Sequence, residues 1–148
     1  MTPEVRAPRD AAEYEAGLEL RWRILRAPWG RPRGSERDAL DADAVHRIVV
    51  EDGRVLASGR LHRLDGDSGQ IRYMAVDASQ RGRGLGRLLL ESLEQAARGA
   101  GMTRIVLHAR EGSLPFYEKA GYRVVAPSHT LFGEIRHWQM EKPLNRSC

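Results

Sequence analysis

The most informative part of the chain is a glycine-rich turn, Gln80-Arg81-Gly82-Arg83-Gly84-Leu85-Gly86-Arg87. A strand-like apolar run that ends near Val76 precedes the turn, and an amphipathic helical pattern follows it. Glycine at alternate positions carries no Cβ, so a ligand can approach the backbone closely. A helix start adds free N–H groups and the positive end of the helix dipole. The turn therefore predicts an anion site suited to a pyrophosphate, with Arg81, Arg83 and Arg87 adding positive charge.

Two familiar phosphate-binding loops do not match this turn. The nucleotide P-loop contains a Gly-Lys pair followed by Ser or Thr, and no Gly-Lys pair occurs here. The Rossmann fingerprint needs a third glycine three places after its second, where this chain has Arg87. From the turn alone, a glycine-rich loop without any ligand remains an alternative.

The surrounding patterns predict an α/β fold. Asp10 and Glu13 form a capping box before a helical repeat that Pro28 ends. Asp52-Gly53 lies between apolar runs and predicts a hairpin. Strands are predicted at about 45–50, 55–61, 71–76, 105–107, 122–125 and 131–140, and further helices at 84–100 and 113–120. The order predicts one domain, residues 1–148, with a mixed, mostly antiparallel twisted sheet flanked by helices. The polar segment 30–43 is predicted to be a loop or short helix over a site.

The amino-acid composition favours a globular domain and argues against several other classes of protein. The 148 residues are 41% apolar and 30% charged, which is typical of a globular domain. The net charge of +4 suits anionic partners, but the arginines are interleaved with acids, so we expect no nucleic-acid binding. Cys148 is the single cysteine, which excludes an intrachain disulfide and favours the cytoplasm. The chain has no long apolar segment and no signal core, so neither membrane insertion nor secretion is expected. It is compatible with a homodimer.

Two motifs together resemble one family. Arg81, Gly84 and Gly86 fit the spacing R-x-x-G-x-G, which resembles the coenzyme A pyrophosphate loop of the GCN5-related N-acetyltransferase (GNAT) family. The segment 115–122, Pro-Phe-Tyr-Glu-Lys-Ala-Gly-Tyr, is similar to the family's F-Y-x-x-x-G-[FY] motif. The resemblance covers about residues 45–142. It implies a sheet with a V-shaped opening and an enzyme that transfers an acetyl group from acetyl-CoA to an amine.

The resemblance also implies which residues contact the cofactor. Backbone groups of Met74, Ala75 and Val76 would pair with the pantetheine arm, in a strand that typically carries a bulge. The amides that would hold the pyrophosphate, beside Arg81, are those of Gly82, Arg83, Gly84, Leu85, Gly86 and Arg87. Tyr117 would lie near the thioester sulfur. One departure is Gly112, which stands where the family often has an asparagine, so that contact is either absent or supplied by Ser113.

Acetyl transfer requires proton movements that a few side chains can serve. A phenol with an ordinary pKa of about 10, such as Tyr117, can protonate the leaving thiolate. The base that takes the amine proton is one of the histidines, Glu51, Glu111 or water; the histidines are His46, His62, His108, His129 and His137. We prefer His46 and His137, because they resemble positions in a subgroup of the family. No H-E-x-x-H spacing occurs, so we predict no metal.

Two other functions compete with this interpretation. The domain could hold an acyl-CoA without catalysing transfer, or it could be a basic nucleic-acid binder, which would require clustered arginines and exposed aromatic residues. The acceptor of an acetyltransferase could be a small-molecule amine, a peptide N-terminus or a lysine. The loop at residues 28–43 is expected to shape that choice.

Overall fold

Seven strands form one mixed sheet in the computed structural model, which describes residues 2–144. The strands are β1 (Glu4–Arg6), β2 (Val45–Glu51), β3 (Arg54–Arg63), β4 (Ser68–Val76), β5 (Arg104–Arg110), β6 (Arg123–Leu131) and β7 (Ile135–Pro143). The helices are α1 (Ala11–Leu25), α2 (Leu85–Gly99) and α3 (Leu114–Lys119). The order across the sheet is β1-β2-β3-β4-β5-β7-β6, and only the β4–β5 pair is parallel among these strands. The predicted fold class is confirmed.

The local signals for α1 and for the first hairpin are confirmed in atomic detail. The Asp10 carboxylate accepts a hydrogen bond from the Glu13 N–H at 2.9 Å, which caps the helix. Asp52 and Gly53 both have positive φ, 52° and 75°, as a tight two-residue hairpin turn requires. These short-range signals therefore position β2 and β3 correctly.

The largest differences between the predicted and the observed strands are at β1, β6 and β7. The sequence analysis missed β1, because three residues are too short to show an alternating pattern. β6 continues to Leu131 and β7 begins at Ile135, whereas the sequence predicted a second strand from 131. β6 is mostly exposed and carries register shifts against β7, which removes the alternation that would have revealed its length. The prediction for Cys148 lies outside the described residues.

The sheet opens between β4 and β5. Only Ser68–Gln70 pairs with Arg104–Val106, and beyond these three positions the two strands separate. β4 also carries the expected bulge, since the step from Ala75 to Arg72 spans three residues where β3 spans two, from Ser58 to Arg60. Tyr73 at the bulge has φ of 60°, a strained conformation for a bulky residue. The edge of β4 beyond Gln70 therefore faces a gap.

The two long helices cover opposite faces of the sheet. Tyr73 and Ala75 pack with Leu25 of α1, whereas Met74 and Val76 pack against the main core, which contains Leu89 and Leu93 of α2. Successive side chains of a strand point to opposite faces, so α1 and α2 lie on different sides of β4. No helix within residues 2–144 is both long and apolar enough to cross a membrane.

Candidate active site

A cleft of about 930 Å³ occupies the gap between β4 and β5 and is lined from both faces of the sheet. We call its α2 face the glycine-turn end, formed by residues 80–82, 84–87, 113, 116, 117 and 119. We call its α1 face the arginine–histidine end, formed by residues 26, 72, 73, 108, 110, 129 and 137. Among the described residues the lining contains no Asp or Glu, and its basic side chains are Arg26, Arg72, Arg81, Arg87, Arg110 and Lys119.

The glycine-rich turn presents free backbone donors to this cleft. Gly82 and Gly84 have positive φ, 84° and 78°, which glycine adopts without strain. Gly84 is the N-cap of α2, and no side chain caps this helix. Within residues 2–144, none of the N–H groups of residues 82–87 donates to a protein acceptor. The helix dipole adds positive potential, so the turn fits a diphosphate.

The three arginines of the turn do not share one role. Arg81 and Arg87 line the cleft, and Arg87 pairs with Glu91 at 3.0 Å on the surface. Arg83 points elsewhere: its guanidinium bonds both carboxylate oxygens of Glu51, at 3.0 and 2.8 Å. Arg83 was predicted to add charge to the anion site, but its side chain pairs with Glu51 and does not line the cleft.

The structure also shows how three further predicted residues lie relative to the cleft: Leu85, Gly86 and Gly112. Leu85 lines the cleft and belongs to the main core. Gly86 lines the cleft as well, but a Cβ there would lie 3.3 Å from the Phe116 ring, so this glycine lets α3 pack closely on α2. Gly112 does not line the cleft, whereas Ser113 does. The structure thus favours Ser113 over a contact at Gly112.

Backbone groups of β4 face the gap. Met74, Ala75 and Val76 all line the cleft. Since β5 leaves β4 after Gln70, this stretch has no strand partner on its cleft side among residues 2–144. Its peptide groups on that side are free to bind an extended ligand, as an edge strand does.

Tyr117 of α3 lies at the wall between the cleft and the core. Only 8% of the residue is exposed, and its ring makes edge contacts with Phe116 and Tyr122 at centroid distances of 4.9 and 5.8 Å. Within residues 2–144 its hydroxyl has no hydrogen-bond partner, and it lines the cleft. Burial raises the pKa of Tyr117, against a smaller lowering effect of Arg110. The phenol is therefore protonated at neutral pH, so its O–H is available as a hydrogen-bond donor.

Three histidines meet at the opposite face. His129 stacks on His137 with 4.4 Å between ring centroids, and both line the cleft together with His108. Ser128 Oγ links this group, at 2.7 Å from His108 Nδ1 and 3.1 Å from His129 Nδ1. Burial lowers the pKa of His108 and of His137. The sequence analysis named all three as candidates without signalling that they cluster.

His137 is oriented by its own strand. Its Nδ1 lies 2.9 Å from the Ile135 carbonyl oxygen, which can only accept, so Nδ1 carries the hydrogen. In the neutral ring Nε2 then has a free lone pair. Burial keeps the pKa of His137 below its usual value, with nearby cations contributing, so this neutral form dominates near pH 7.

His46 lies apart from this group. It lines a separate shallow pocket beside the start of α1, with Nε2 2.8 Å from the Asp41 carbonyl oxygen and its ring 5.0 Å from that of Tyr14. β3 separates its strand from β4. Of the two preferred candidate bases, only His137 therefore lines the cleft, and His46 lies outside it. Glu51 and Glu111, the other candidate bases, do not line the cleft either.

The loop predicted to lie over the site anchors the arginine–histidine end. Asp41 bonds Arg21 and Arg60 at 2.9 and 3.1 Å, and Asp38 bonds Arg60 at 2.6 Å. Burial alone would raise the pKa of Asp38, but hydrogen bonds from Arg60 and from the Leu40 N–H lower it to about 2. These ion pairs fix the loop beside Tyr73, whose hydroxyl donates to Asp38 at 3.3 Å.

Known proteins share this sequence pattern and this fold. The sequence model described as the Acetyltransferase (GNAT) family matches residues 14–122. YjcF of Bacillus subtilis, named an uncharacterised N-acetyltransferase, is 33% identical over 111 residues, which are 75% of this chain and 79% of that protein. An acyl-CoA N-acyltransferase from Pseudomonas aeruginosa matches with a TM-score of 0.78 at 27% identity, over 95% of this chain and 98% of that one.

A further structure is similar in fold alone. It is an aminoglycoside 6'-N-acetyltransferase complexed with coenzyme A, with a TM-score of 0.80 and 15% identity, covering 100% of this chain and 99% of that one. The cleft geometry, the family match and the relatives agree with one another. The chain belongs to the GNAT family of acetyl-CoA-dependent N-acetyltransferases.

Proposed function

We propose that this acetyltransferase passes the acetyl group directly to a primary amine, which attacks the thioester without a covalent enzyme intermediate. One observation carries the proposal. The cleft passes through the sheet, with an uncapped helix start and the protonated Tyr117 on one face and the neutral His137 on the other. A donor entering from one face and an acceptor from the other would meet between β4 and β5.

The glycine-turn end would hold the donor. The free amides of residues 82–87 and the cations Arg81, Arg87 and Lys119 suit its phosphates. The unpaired edge of β4 at Met74–Val76 suits its amide-containing arm. Bound acetyl-CoA would supply an acetyl group activated as a thioester.

Three groups of the chain would then share the chemistry. A backbone N–H of β4 near Met74 or Ala75 would stabilise the carbonyl oxygen as it gains negative charge. His137 would accept the proton that the attacking nitrogen loses, directly or through a water molecule. Tyr117 would give its proton to the departing sulfur as the carbon–sulfur bond breaks. These two proton transfers leave a neutral amide and a neutral thiol.

The experiment that tests this function is an amine-dependent release of free thiol from acetyl-CoA. We expect at least one class of primary amine in a broad panel to drive thiol release, and mass spectrometry to find the acetyl group on its nitrogen. If acetyl-CoA raises the melting temperature of the protein but no amine is acetylated, the domain is instead a non-catalytic binding module. A burst of acetylated enzyme would refute direct attack.

A further inference from the structure

Two arginines at the arginine–histidine end have no carboxylate partner among the residues that the structure describes. Arg26 is only 7% exposed. It donates hydrogen bonds to two backbone carbonyl oxygens, from Nε to Ser35 at 3.0 Å and from Nη1 to Leu25 at 3.1 Å. Arg110 is partly buried and donates Nη2 to the same Leu25 O at 3.3 Å. Within residues 2–144, neither guanidinium lies within 4.0 Å of an acid, and both line the cleft.

This arrangement is electrostatically costly. A buried cation needs an anion or a dense set of hydrogen bonds to replace its water. Burial lowers the pKa of Arg26 and of Arg110, and Arg26 further lowers that of Arg110 by repulsion. Asp38 lies beside Tyr73, whose ring Arg26 contacts, but its carboxylate already bonds Arg60, Arg72 and Tyr73. Within residues 2–144, no carboxylate therefore neutralises these two guanidinium groups.

The donor's phosphates do not explain these arginines. The glycine-turn end has its own cations and free amides, on the α2 face. Ala109 packs into the main core on that face, and its strand neighbour Arg110 points the opposite way, to the carbonyl of Leu25 in α1. Arg26 follows α1 directly. Both arginines thus belong to the half of the cleft from which an acceptor would enter.

We propose that the acceptor is an amine that also carries an anionic group, a carboxylate or a phosphate, which Arg26 and Arg110 bind. The inference rests on the proposed function and names the substrate class of the same site. Guanidinium groups bind these planar or tetrahedral anions through paired N–H donors. The partly exposed Arg72, at the rim, adds to the attraction.

The same positive field has a second effect on this acceptor. A cationic surrounding disfavours a protonated amine, so it lowers the pKa of the bound ammonium. The anionic group provides the binding energy that a bare ammonium would lack in this end of the cleft. The two arginines thus favour an acceptor with an anionic group, and they also favour the neutral, nucleophilic form of its amine.

Matched acceptor pairs test the inference. Each of several α-, β- and γ-amino acids is assayed beside its carboxamide, and O-phosphoethanolamine beside ethanolamine. We expect the anionic member of the preferred pair to have a kcat/KM at least about tenfold higher. The carboxamide lowers the basicity of an α-amine, so the neutral partner has more free amine and the comparison is biased against our expectation. Equal or faster acetylation of the neutral members would overturn the inference while leaving the proposed function intact.

The anionic group could also belong to the acyl chain of the donor instead of the acceptor. A second experiment distinguishes these two possibilities. Neutral amines are assayed with acetyl-CoA and with succinyl-CoA. We expect acetyl-CoA to be the better donor. A preference for succinyl-CoA that depends on Arg110 would assign the arginines to the acyl chain and overturn an anionic acceptor.

Variants of Arg110 connect the preference to this end of the cleft. Arg110→Gln should raise the KM for the anionic acceptor about tenfold and remove its advantage, with the acetyl-CoA Kd unchanged, and Arg110→Lys should restore part of it. Arg123→Gln, an exposed change on β6, is the matched control. Arg110 is used because Arg26 is buried and its loss could prevent folding.

A binding measurement covers the case in which no amine is acetylated. With coenzyme A present, the anionic members should raise the melting temperature of the native protein and not that of Arg110→Gln. Equal shifts in melting temperature for the anionic and neutral members would contradict the inference, whether or not any amine is acetylated.

Discussion

The two ends of the cleft are built in different ways. The glycine-turn end comes mostly from one continuous segment, residues 80–87, and offers backbone N–H groups and small residues. The arginine–histidine end is assembled from side chains on five separate segments: the loop after α1 and strands β4, β5, β6 and β7. The first end can therefore be recognised in a short sequence, and the second exists only in the folded chain.

Their charges differ as well. At the glycine-turn end, Arg83 and Arg87 are on the surface and each pairs with a glutamate. At the other end, Arg26 is buried and Arg110 partly buried, and neither forms an ion pair with any acid of residues 2–144. Surface cations are screened by water and tolerate many ligands, whereas buried cations select strongly for their counter-ion. We therefore expect the ends to respond independently to mutation.

The largest effect is expected for Gly84→Val. This residue has φ of 78°, which a β-branched side chain strongly disfavours, and it holds the free amides of the turn in place. The Kd for acetyl-CoA, measured by calorimetry, should rise by at least about 100-fold.

Gly101→Val is the matched control for this change. Gly101 has φ of 80° just beyond the other end of α2, and a Cβ there is equally free of contacts. It should lower the melting temperature by a similar amount and leave the Kd unchanged. Comparable loss of binding in both variants would show that strain in the helix, rather than the turn, is responsible.

Tyr117→Phe should lower kcat about 100-fold and leave the acetyl-CoA Kd within about twofold, because the hydroxyl donates a proton without making a binding contact. Stopped-flow thiol release measures the effect. Tyr122→Phe is the control, since its hydroxyl bonds Glu94 at 2.7 Å in the core and should affect stability but not kcat. A collapse of binding in Tyr117→Phe would make this tyrosine a cofactor contact instead of an acid.

The comparison between the two ends of the cleft also explains which features could be predicted from the sequence. The glycine turn, the capping box at Asp10 and the Asp52-Gly53 hairpin are short-range signals, and each is confirmed at its predicted position. Each requires a particular backbone geometry that few residue types supply. Such signals identified the family, the order of the main elements and the glycine-turn end of the cleft.

The arginine–histidine end could not be predicted in this way. His108, His129 and His137 meet because β5, β7 and β6 are adjacent in a register that includes bulges, and a register shift of one residue would turn a side chain to the other face. His46 has the same chemistry but a different neighbour, Asp41. Residue type alone could not distinguish these histidines, and nothing in the sequence indicated that Arg26 and Arg110 converge on Leu25.

Asp38→Asn tests whether the two ends are independent. The variant loses charged hydrogen bonds to the buried Arg60 and should destabilise the protein by about 2 kcal/mol, measured by urea unfolding at pH 7. The KM for acetyl-CoA should not change. Asp43→Asn, an exposed change in the same loop, is the control and should have little effect on stability.

The pH dependence of this variant has a definite sign. The folded protein holds the pKa of Asp38 at about 2, below its ordinary value of 3.8, so the carboxylate stabilises the fold above about pH 4. That contribution is lost as the pH falls from 4 toward 2. The stability difference between native protein and Asp38→Asn should therefore shrink over this range, and a constant difference would contradict the ion-pair explanation.

The smallest effect is expected at the glycine-turn end, for Arg83→Gln combined with Glu51→Gln. The Arg83 guanidinium bonds both oxygens of Glu51, so replacing the pair with neutral residues removes no charge that the donor's phosphates use. Exposed ion pairs contribute little to stability. The acetyl-CoA Kd should change by less than about twofold, whereas Arg81→Gln should raise it severalfold, more at low salt than at high salt. If the paired change weakened binding as much as Arg81→Gln, Arg83 would have to leave Glu51 for the phosphates, and the turn would close on its ligand instead of receiving it ready-formed.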